Sequence, residues 1–68
     1  MRPLSAREVE AYLKRCGFHC ERAEGSHFKW VNPDTGRWTI VPHHGNRTMA
    51  QGILLAIFRQ AGITPPKK

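Results

Sequence analysis

The stretch FHCERAEGSHFKWVNPDTGRWTIVP, residues 18–42, decides the fold of this chain. It holds short segments rich in aromatic and β-branched residues, and groups of turn-forming residues separate them. The segments FHCERA, HFKWVN and WTIV predict strands, whereas EGS and NPDTGR predict tight turns. Because consecutive strands joined by tight turns pair antiparallel with their neighbours, we expect a three-stranded meander.

A helix is predicted on the N-terminal side of this meander. Ser5 and Glu8 have the spacing of a capping box, in which side chain and backbone satisfy each other's free amides at a helix start. Gly17 is placed to end the helix. Apolar residues recur in between at steps of three and four, which gives the helix one buried face. These residues are Val9, Tyr12, Leu13 and Cys16.

A second helix is predicted after the meander. Thr48 and Gln51 have the spacing of another capping box, and Gly62 is expected to end the helix. Its apolar stripe consists of Ile53, Leu54, Ile57, Phe58 and Ala61. Gly52 costs up to about 1 kcal/mol relative to alanine in a helix interior, which suggests close packing, close approach by another chain, or simple tolerance. Residues 64–68, TPPKK, are expected to form a flexible basic tail.

These elements define one α+β domain over residues 1–68, with the order α-β-β-β-α. A chain this short has room for a single core, so both helices are expected on one face of the three-stranded antiparallel sheet. The side chains expected between the helices and the sheet are Phe28, Trp30, Trp38 and Ile40. The opposite face stays open, and we expect His27, Lys29 and Thr39 on it.

The charge of the chain indicates a polyanionic partner. Its 11 lysines and arginines against 5 aspartates and glutamates give a formal net charge of +6, which favours nucleic acid. An acidic protein, an anionic lipid or better solubility alone would fit the same charge. No apolar run approaches the roughly 20 residues of a membrane span, and MRPLSAREVEAYL lacks the apolar segment of a signal peptide. We therefore expect a soluble, cytoplasmic protein with no membrane partner.

Neither the cysteines nor the paired histidines predict a metal site. Cys16 and Cys20 lack the C-x-x-C spacing of zinc ribbons and are too few for a disulfide scaffold, so reduced thiols are expected. His43 and His44 point opposite ways in extended chain, and no carboxylate or cysteine lies beside them at a zinc-ligand spacing. We expect no metal and no other cofactor.

Three segments of the chain resemble the HicA family of toxins, also called YcfA-like mRNA interferases. The segments are RCGF, GSH and VPHHGNRTMAQGILLAIFRQAGI. The matching positions are Gly17-Phe18, Gly25-Ser26-His27, Pro42-His43-His44, Gly52 and Ile57 through Gly62. The resemblance implies a fold like that of double-stranded-RNA-binding domains. It also implies the toxin of a type II toxin–antitoxin system, a ribosome-independent ribonuclease that cuts mRNA and is neutralised by a HicB-type antitoxin. Contact with DNA is expected only through that antitoxin.

The chemistry that this resemblance implies centres on His27, the histidine of the GSH motif. RNA supplies its own nucleophile, the 2′-hydroxyl, so the enzyme must remove a proton, hold the phosphate and help the leaving oxygen depart. Histidine side chains exchange protons readily near neutral pH, and His27 is the expected general acid/base. The residues expected to hold the RNA are Gly25, Ser26, Lys29, Arg22, Arg37 and His44. No step requires a metal.

Several of these residues also have simpler interpretations. His27 could cap a turn, and Lys29 could be a solvated strand lysine. His44 could protonate the leaving group, bind RNA or anchor its loop, and anchoring is slightly favoured. Trp30 and Trp38 could stack on bases, but core filling is the favoured interpretation.

The sequence leaves three functional hypotheses open. The first is a metal-independent endoribonuclease toxin. The second is a noncatalytic RNA-binding module that uses the same basic sheet face, binds in a salt-dependent manner and leaves RNA intact. The third is a protein-interaction domain whose charge matches an acidic partner. A HicB-type antitoxin is expected to cover the open face and shield His27.

Overall fold

A computed structural model describes residues 2–44 and 47–66 of the chain. The elements are helix α1 (Ala6–Arg15), strands β1 (His19–Glu24), β2 (His27–Val31) and β3 (Trp38–Pro42), and helix α2 (Gln51–Ala61). The three strands form one antiparallel sheet in the order β1-β2-β3. The predicted α+β fold with the order α-β-β-β-α is confirmed. No helix in the described ranges is long and apolar enough to cross a membrane.

The start of α1 carries the predicted capping box. The amide of Glu8 donates to the Ser5 hydroxyl at 3.2 Å, and the amide of Ser5 donates to the Glu8 carboxylate at 2.9 Å. The Ser5 amide and the Arg2 guanidinium hold the pKa of Glu8 below its ordinary value. This capping contact is therefore complete at neutral pH and is lost as the pH falls through the lowered pKa. Gly17 follows the helix with a φ of 97°, as predicted.

The start of α2 differs from the prediction. Its N-cap is Ala50, with no side-chain hydrogen bond, so the capping box predicted from Thr48 is wrong. Thr48 instead forms an isolated antiparallel bridge with Ser5, and the next amide, that of Met49, donates to the carbonyl of Leu4 at 2.9 Å. These long-range bonds hold the backbone extended, so the helix begins later than the local pattern indicated.

The serine cap of α1 and the threonine before α2 give a matched test. Ser5→Ala is expected to lower the free energy of unfolding by about 1 kcal/mol, because the Glu8 amide loses its acceptor. Thr48→Ala removes a hydroxyl that caps no helix, and its effect is expected to stay within about 0.5 kcal/mol. Urea unfolding followed by circular dichroism measures both. Equal losses in the two variants would contradict this assignment of the caps.

Gly52 and Gly62 have different surroundings in α2. No atom from another part of the described chain lies within 4 Å of where a Cβ on Gly52 would stand. Of the three explanations for this glycine, close packing within the described chain is therefore excluded, and close approach by another chain or simple tolerance stays open. Gly62 ends the helix as predicted, with a φ of 72°. After it, the carbonyl of Thr64 accepts a hydrogen bond of 2.7 Å from the Tyr12 hydroxyl. Lys67 and Lys68, the basic end of the predicted tail, lie outside the described residues.

The core lies between both helices and one face of the sheet. From α1, the Glu10 carboxylate accepts a 3.0 Å hydrogen bond from Trp30 Nε1. From α2, Gln60 Oε1 accepts a 3.1 Å bond from the Thr39 hydroxyl. Trp30 and Thr39 are direct cross-strand partners, so the two helices cover the same face. The buried apolar residues are Leu4, Ala6, Val9, Leu13, Phe18, Trp30, Val41, Met49, Leu54, Ile57, Phe58 and Ala61.

The face of β3 that enters this core is opposite to the predicted one. Thr39 is fully buried, whereas 44% of Trp38 is exposed. Thr39 pairs with Trp30, and Trp38 pairs with Val31 on the other face. The prediction that Trp38 and Ile40 fill the core while Thr39 lies on the open face is therefore wrong. The reason is the period of two along a strand, because a one-residue change of register moves every side chain to the other face.

Candidate active site

The GSH motif forms the turn between β1 and β2. Gly25 and Ser26 make a two-residue hairpin loop, and Gly25 has the positive φ, 59°, that such loops require at their first position. His27 is the first residue of β2 and is exposed. Its direct partners are Glu24 on β1 and Pro42 on β3. The histidine therefore stands at one end of the open sheet face, as the alternation predicted.

The segment after β3 supports this turn. The carbonyl of Ser26 accepts a 2.6 Å hydrogen bond from the amide of His43. The His43 ring lies 5.0 Å from that of Phe28, and its Nε2 is 3.4 Å from Glu10 of α1. Since both Phe28 and Glu10 belong to the core side of the sheet, the His43 ring lies on that side and is directed away from the open face. These contacts are consistent with a structural role for His43 in holding the hairpin turn.

Lys29 lies on the open face two residues beyond His27. Two residues along a strand separate their backbones by about 7 Å. The Lys29 ammonium is 3.4 Å from a carboxylate oxygen of Glu21 and 5.1 Å from the ring centroid of Trp38. Arg22, also exposed, is its direct partner on β1. The structure thus brings two of the three predicted phosphate-binding cations to the face that carries His27.

Arg37 lies at the other end of the sheet. It immediately precedes Trp38, which is four residues, about 13 Å, along β3 from the partner of His27. The Arg37 side chain packs beside Gly62 at the end of α2, with Nε 2.9 Å from where a Cβ on that glycine would stand. A cation there is favoured by the carbonyls of the helix end. The structure does not bring Arg37 together with His27.

His44 is exposed and lines a cleft next to the turn. The cleft has a volume of about 330 Å³, and its walls include Pro42, Arg47, Thr48 and the start of α2. Since Pro42 pairs with His27, this cleft begins at the same end of the sheet as the histidine. Gly45 and Asn46, which follow His44 in the chain, lie outside the described residues.

Glu24 is a candidate that sequence reasoning missed. It faces His27 directly across the hairpin, where Cβ atoms of such partners lie about 4.5–5.5 Å apart on one face. Both side chains are exposed. The signal was present in the segment EGSH, because a two-residue loop forces the residues on its two sides to be neighbours.

Comparison with known proteins agrees with this arrangement. Residues 6–63 match the family model described as HicA toxin of bacterial toxin–antitoxin. The chain belongs to the HicA toxin family. A relative from Pseudomonas fluorescens (strain Pf0-1), named probable mRNA interferase HicA, is 36% identical over 56 residues, which cover 82% of this chain and 90% of that protein. The resemblance found in the sequence is confirmed.

In this HicA family member, two motif segments that are distant in sequence meet. Gly25-Ser26-His27 and Pro42-His43-His44 lie at the same end of the sheet, joined by the pairing of His27 with Pro42 and by the Ser26–His43 hydrogen bond. Within residues 2–44 and 47–66, no group of three histidine, cysteine, aspartate or glutamate side chains is placed to hold a metal ion. An imidazole such as that of His27 can transfer protons, and cations such as Lys29 and Arg22 can stabilise negative charge.

Proposed function

We propose that this chain is the toxin of a type II toxin–antitoxin system and a metal-independent endoribonuclease that cleaves mRNA, with His27 as general acid/base. The observation that carries the proposal is the exposed His27 at the GSH turn, on a face shared with Lys29 and Arg22, in a member of the HicA toxin family. The relative named mRNA interferase supports RNA as the substrate.

The proposed reaction is attack by a ribose 2′-hydroxyl on the adjacent phosphorus. His27 removes the hydroxyl proton as the new O–P bond forms, and the bond to the 5′-oxygen of the next nucleotide breaks. The proton held by the imidazole then passes to that leaving oxygen. The products are a 2′,3′-cyclic phosphate and a 5′-hydroxyl end. The exposed Glu24, the cross-strand partner of His27, borders the same site.

The cations of the open face stabilise the negative charge that builds on the phosphate oxygens. Lys29 and Arg22 form the row next to His27, within reach of a phosphate bound there. The exposed Gly25 and Ser26 allow the backbone and hydroxyl to approach a phosphate oxygen, and His44 borders the same end of the sheet. Arg37 lies too far along β3 for the scissile phosphate and is assigned to a distant nucleotide of a longer RNA.

The proposed regulator is a HicB-type antitoxin that covers the open face. An acidic or apolar contact surface would complement a chain of net charge +6 and would shield His27 from RNA. Any contact with DNA would then pass through the antitoxin. We place the protein in the cytoplasm, where mRNA is available.

The proposal is tested with the purified chain, a long single-stranded RNA and excess EDTA. We expect the RNA to be cut into fragments with cyclic phosphate ends. A matched strand with 2′-deoxyribose throughout should stay intact, because it lacks the nucleophile. Cleavage of both strands would contradict attack by the 2′-hydroxyl. RNA that is bound but left intact would favour the noncatalytic RNA-binding module.

A further inference from the structure

The exposed Trp38 is a feature that the proposed reaction does not use. It has 44% of its surface exposed, whereas only 3% of Trp30 is exposed. A tryptophan side chain is a large apolar group, and leaving it in water forgoes much of the stabilisation that burial gives. The exposed ring on the sheet surface is therefore the starting point for a further site.

The ring is held in place by its neighbours on the open face. Val31 is its direct cross-strand partner, Ile40 lies two residues along β3, and both are half-buried. The Lys29 ammonium lies 5.1 Å from the ring centroid, within the range of a cation–π contact. We call these four residues, Lys29, Val31, Trp38 and Ile40, the aromatic platform. A ring held in this way loses little conformational entropy when a flat ligand stacks on it.

We propose that the aromatic platform binds single-stranded RNA by stacking one base on Trp38, the ring beside Lys29. This inference rests on the proposed function, because it gives the RNA a second anchor on the face that carries His27. Trp38 lies about 13 Å along the strands from the His27 row, so the stacked base is a few nucleotides away from the scissile phosphate. The anchor fixes the path of the strand across the sheet.

The charges around the platform fit an anionic partner, and the exposed aromatic ring beside them favours nucleic acid over an acidic protein patch. Lys29 and its partner Arg22 are cationic, and the chain as a whole has a net charge of +6. Glu21, whose carboxylate is 3.4 Å from Lys29, must give up this ion pair when a phosphate binds. Aromatic stacking combined with such cations is typical of sites that bind single strands with little sequence preference, since every base has a flat face.

The test uses the full chain and a short fluorescein-labelled single-stranded 2′-O-methyl oligoribonucleotide, which lacks the free 2′-hydroxyl and which the proposed reaction therefore cannot cleave. Fluorescence anisotropy at fixed salt gives the Kd. Trp38→Leu is expected to weaken binding by about 5- to 150-fold, the loss of one base–aromatic stack. Trp38→Phe, which keeps an aromatic face, should retain most of the affinity. Leu55→Ala, at an exposed position on α2, is the matched control and should leave the Kd unchanged.

An abasic scan locates the stacked base. Oligonucleotides that each lack one base should show a position-specific loss of affinity with the wild-type chain, and this loss should disappear with Trp38→Leu. Equal affinity of wild type and Trp38→Leu would overturn the inference. Failure of the wild-type chain to bind any single strand would also overturn it and would turn attention to a protein partner for this face.

The outcomes separate this inference from the proposed ribonuclease activity. Binding that depends on Trp38, together with intact RNA in the EDTA assay, would contradict the proposed reaction and support RNA binding by the aromatic platform. RNA cleavage with binding that does not depend on Trp38 would support the proposed reaction and contradict RNA binding by the aromatic platform. Circular dichroism of Trp38→Leu is expected to match the wild type, because the ring lies outside the core.

Discussion

His27→Asn is expected to lower the rate of RNA cleavage by about 10²- to 10⁴-fold, the usual contribution of a positioned general acid or base. Asparagine keeps a polar side chain of similar reach but cannot accept the proton of the 2′-hydroxyl. The exposed position at the start of β2 means that the fold should tolerate the change. Cleavage is measured on single-stranded RNA in EDTA at saturating substrate, so that altered binding does not obscure the chemical step.

His19→Asn is the matched control for this experiment. His19 is also exposed, but it pairs with Val31 at the end of the sheet opposite His27. We expect its variant to cleave at the wild-type rate. If His27→Asn cleaves as fast as the wild type, His27 is not the acid/base. The same substitution at His44, beside the turn, is then the next experiment.

Leu54→Ala is expected to lower the free energy of unfolding by about 2–5 kcal/mol. Leu54 is 1% exposed in the core, and truncation removes apolar contacts and leaves a cavity that the short helices cannot fully close. A domain of this length has a total stability of roughly 3–10 kcal/mol. The variant should therefore lose a large part of the stability of the domain and unfold at a clearly lower urea concentration.

Leu55→Ala makes the same chemical change one residue further along α2. Leu55 is 40% exposed, so its variant should differ from the wild type by no more than about 0.5 kcal/mol. Urea unfolding followed by circular dichroism gives both values, with an unchanged m-value as the check that the same surface unfolds. Similar losses at the two positions would contradict the placement of α2 against the sheet.

The two helices show how far local signals reach. The capping box of α1 was predicted from Ser5 and Glu8 alone, because both partners lie within one helical turn. The same spacing at Thr48 and Gln51 gave a wrong prediction of a capping box for α2, because Thr48 is paired with Ser5 from the other end of the chain. A contact between residues so far apart in sequence leaves no local pattern, and here it outweighed the cap.

The candidate site likewise has features that local sequence patterns predict and features that depend on the tertiary structure. The GSH turn and the exposed position of His27 followed from the hairpin pattern, whereas its role as general acid/base is a proposal that rests on the family resemblance. The two-residue loop also predicts that His27 and Glu24 are cross-strand neighbours, although Glu24 was not among the residues predicted for the site. The brace from Glu10 through His43 to Ser26 was not visible in the sequence, since α1 and the segment after β3 meet only in the folded chain.

The sequence by itself determined the order of the helices and strands and the place of the GSH turn, because caps, turns and alternation depend on residues close together in the chain. Only the tertiary structure decided which face of β3 enters the core. Alternation along WTIV allows either Trp38 and Ile40 or Thr39 and Val41 to point inward. Pairing with β2 placed Thr39 and Val41 in the core, so that Trp38 lies on the face of His27. The same pairing placed Arg37 at the end of α2, away from the turn.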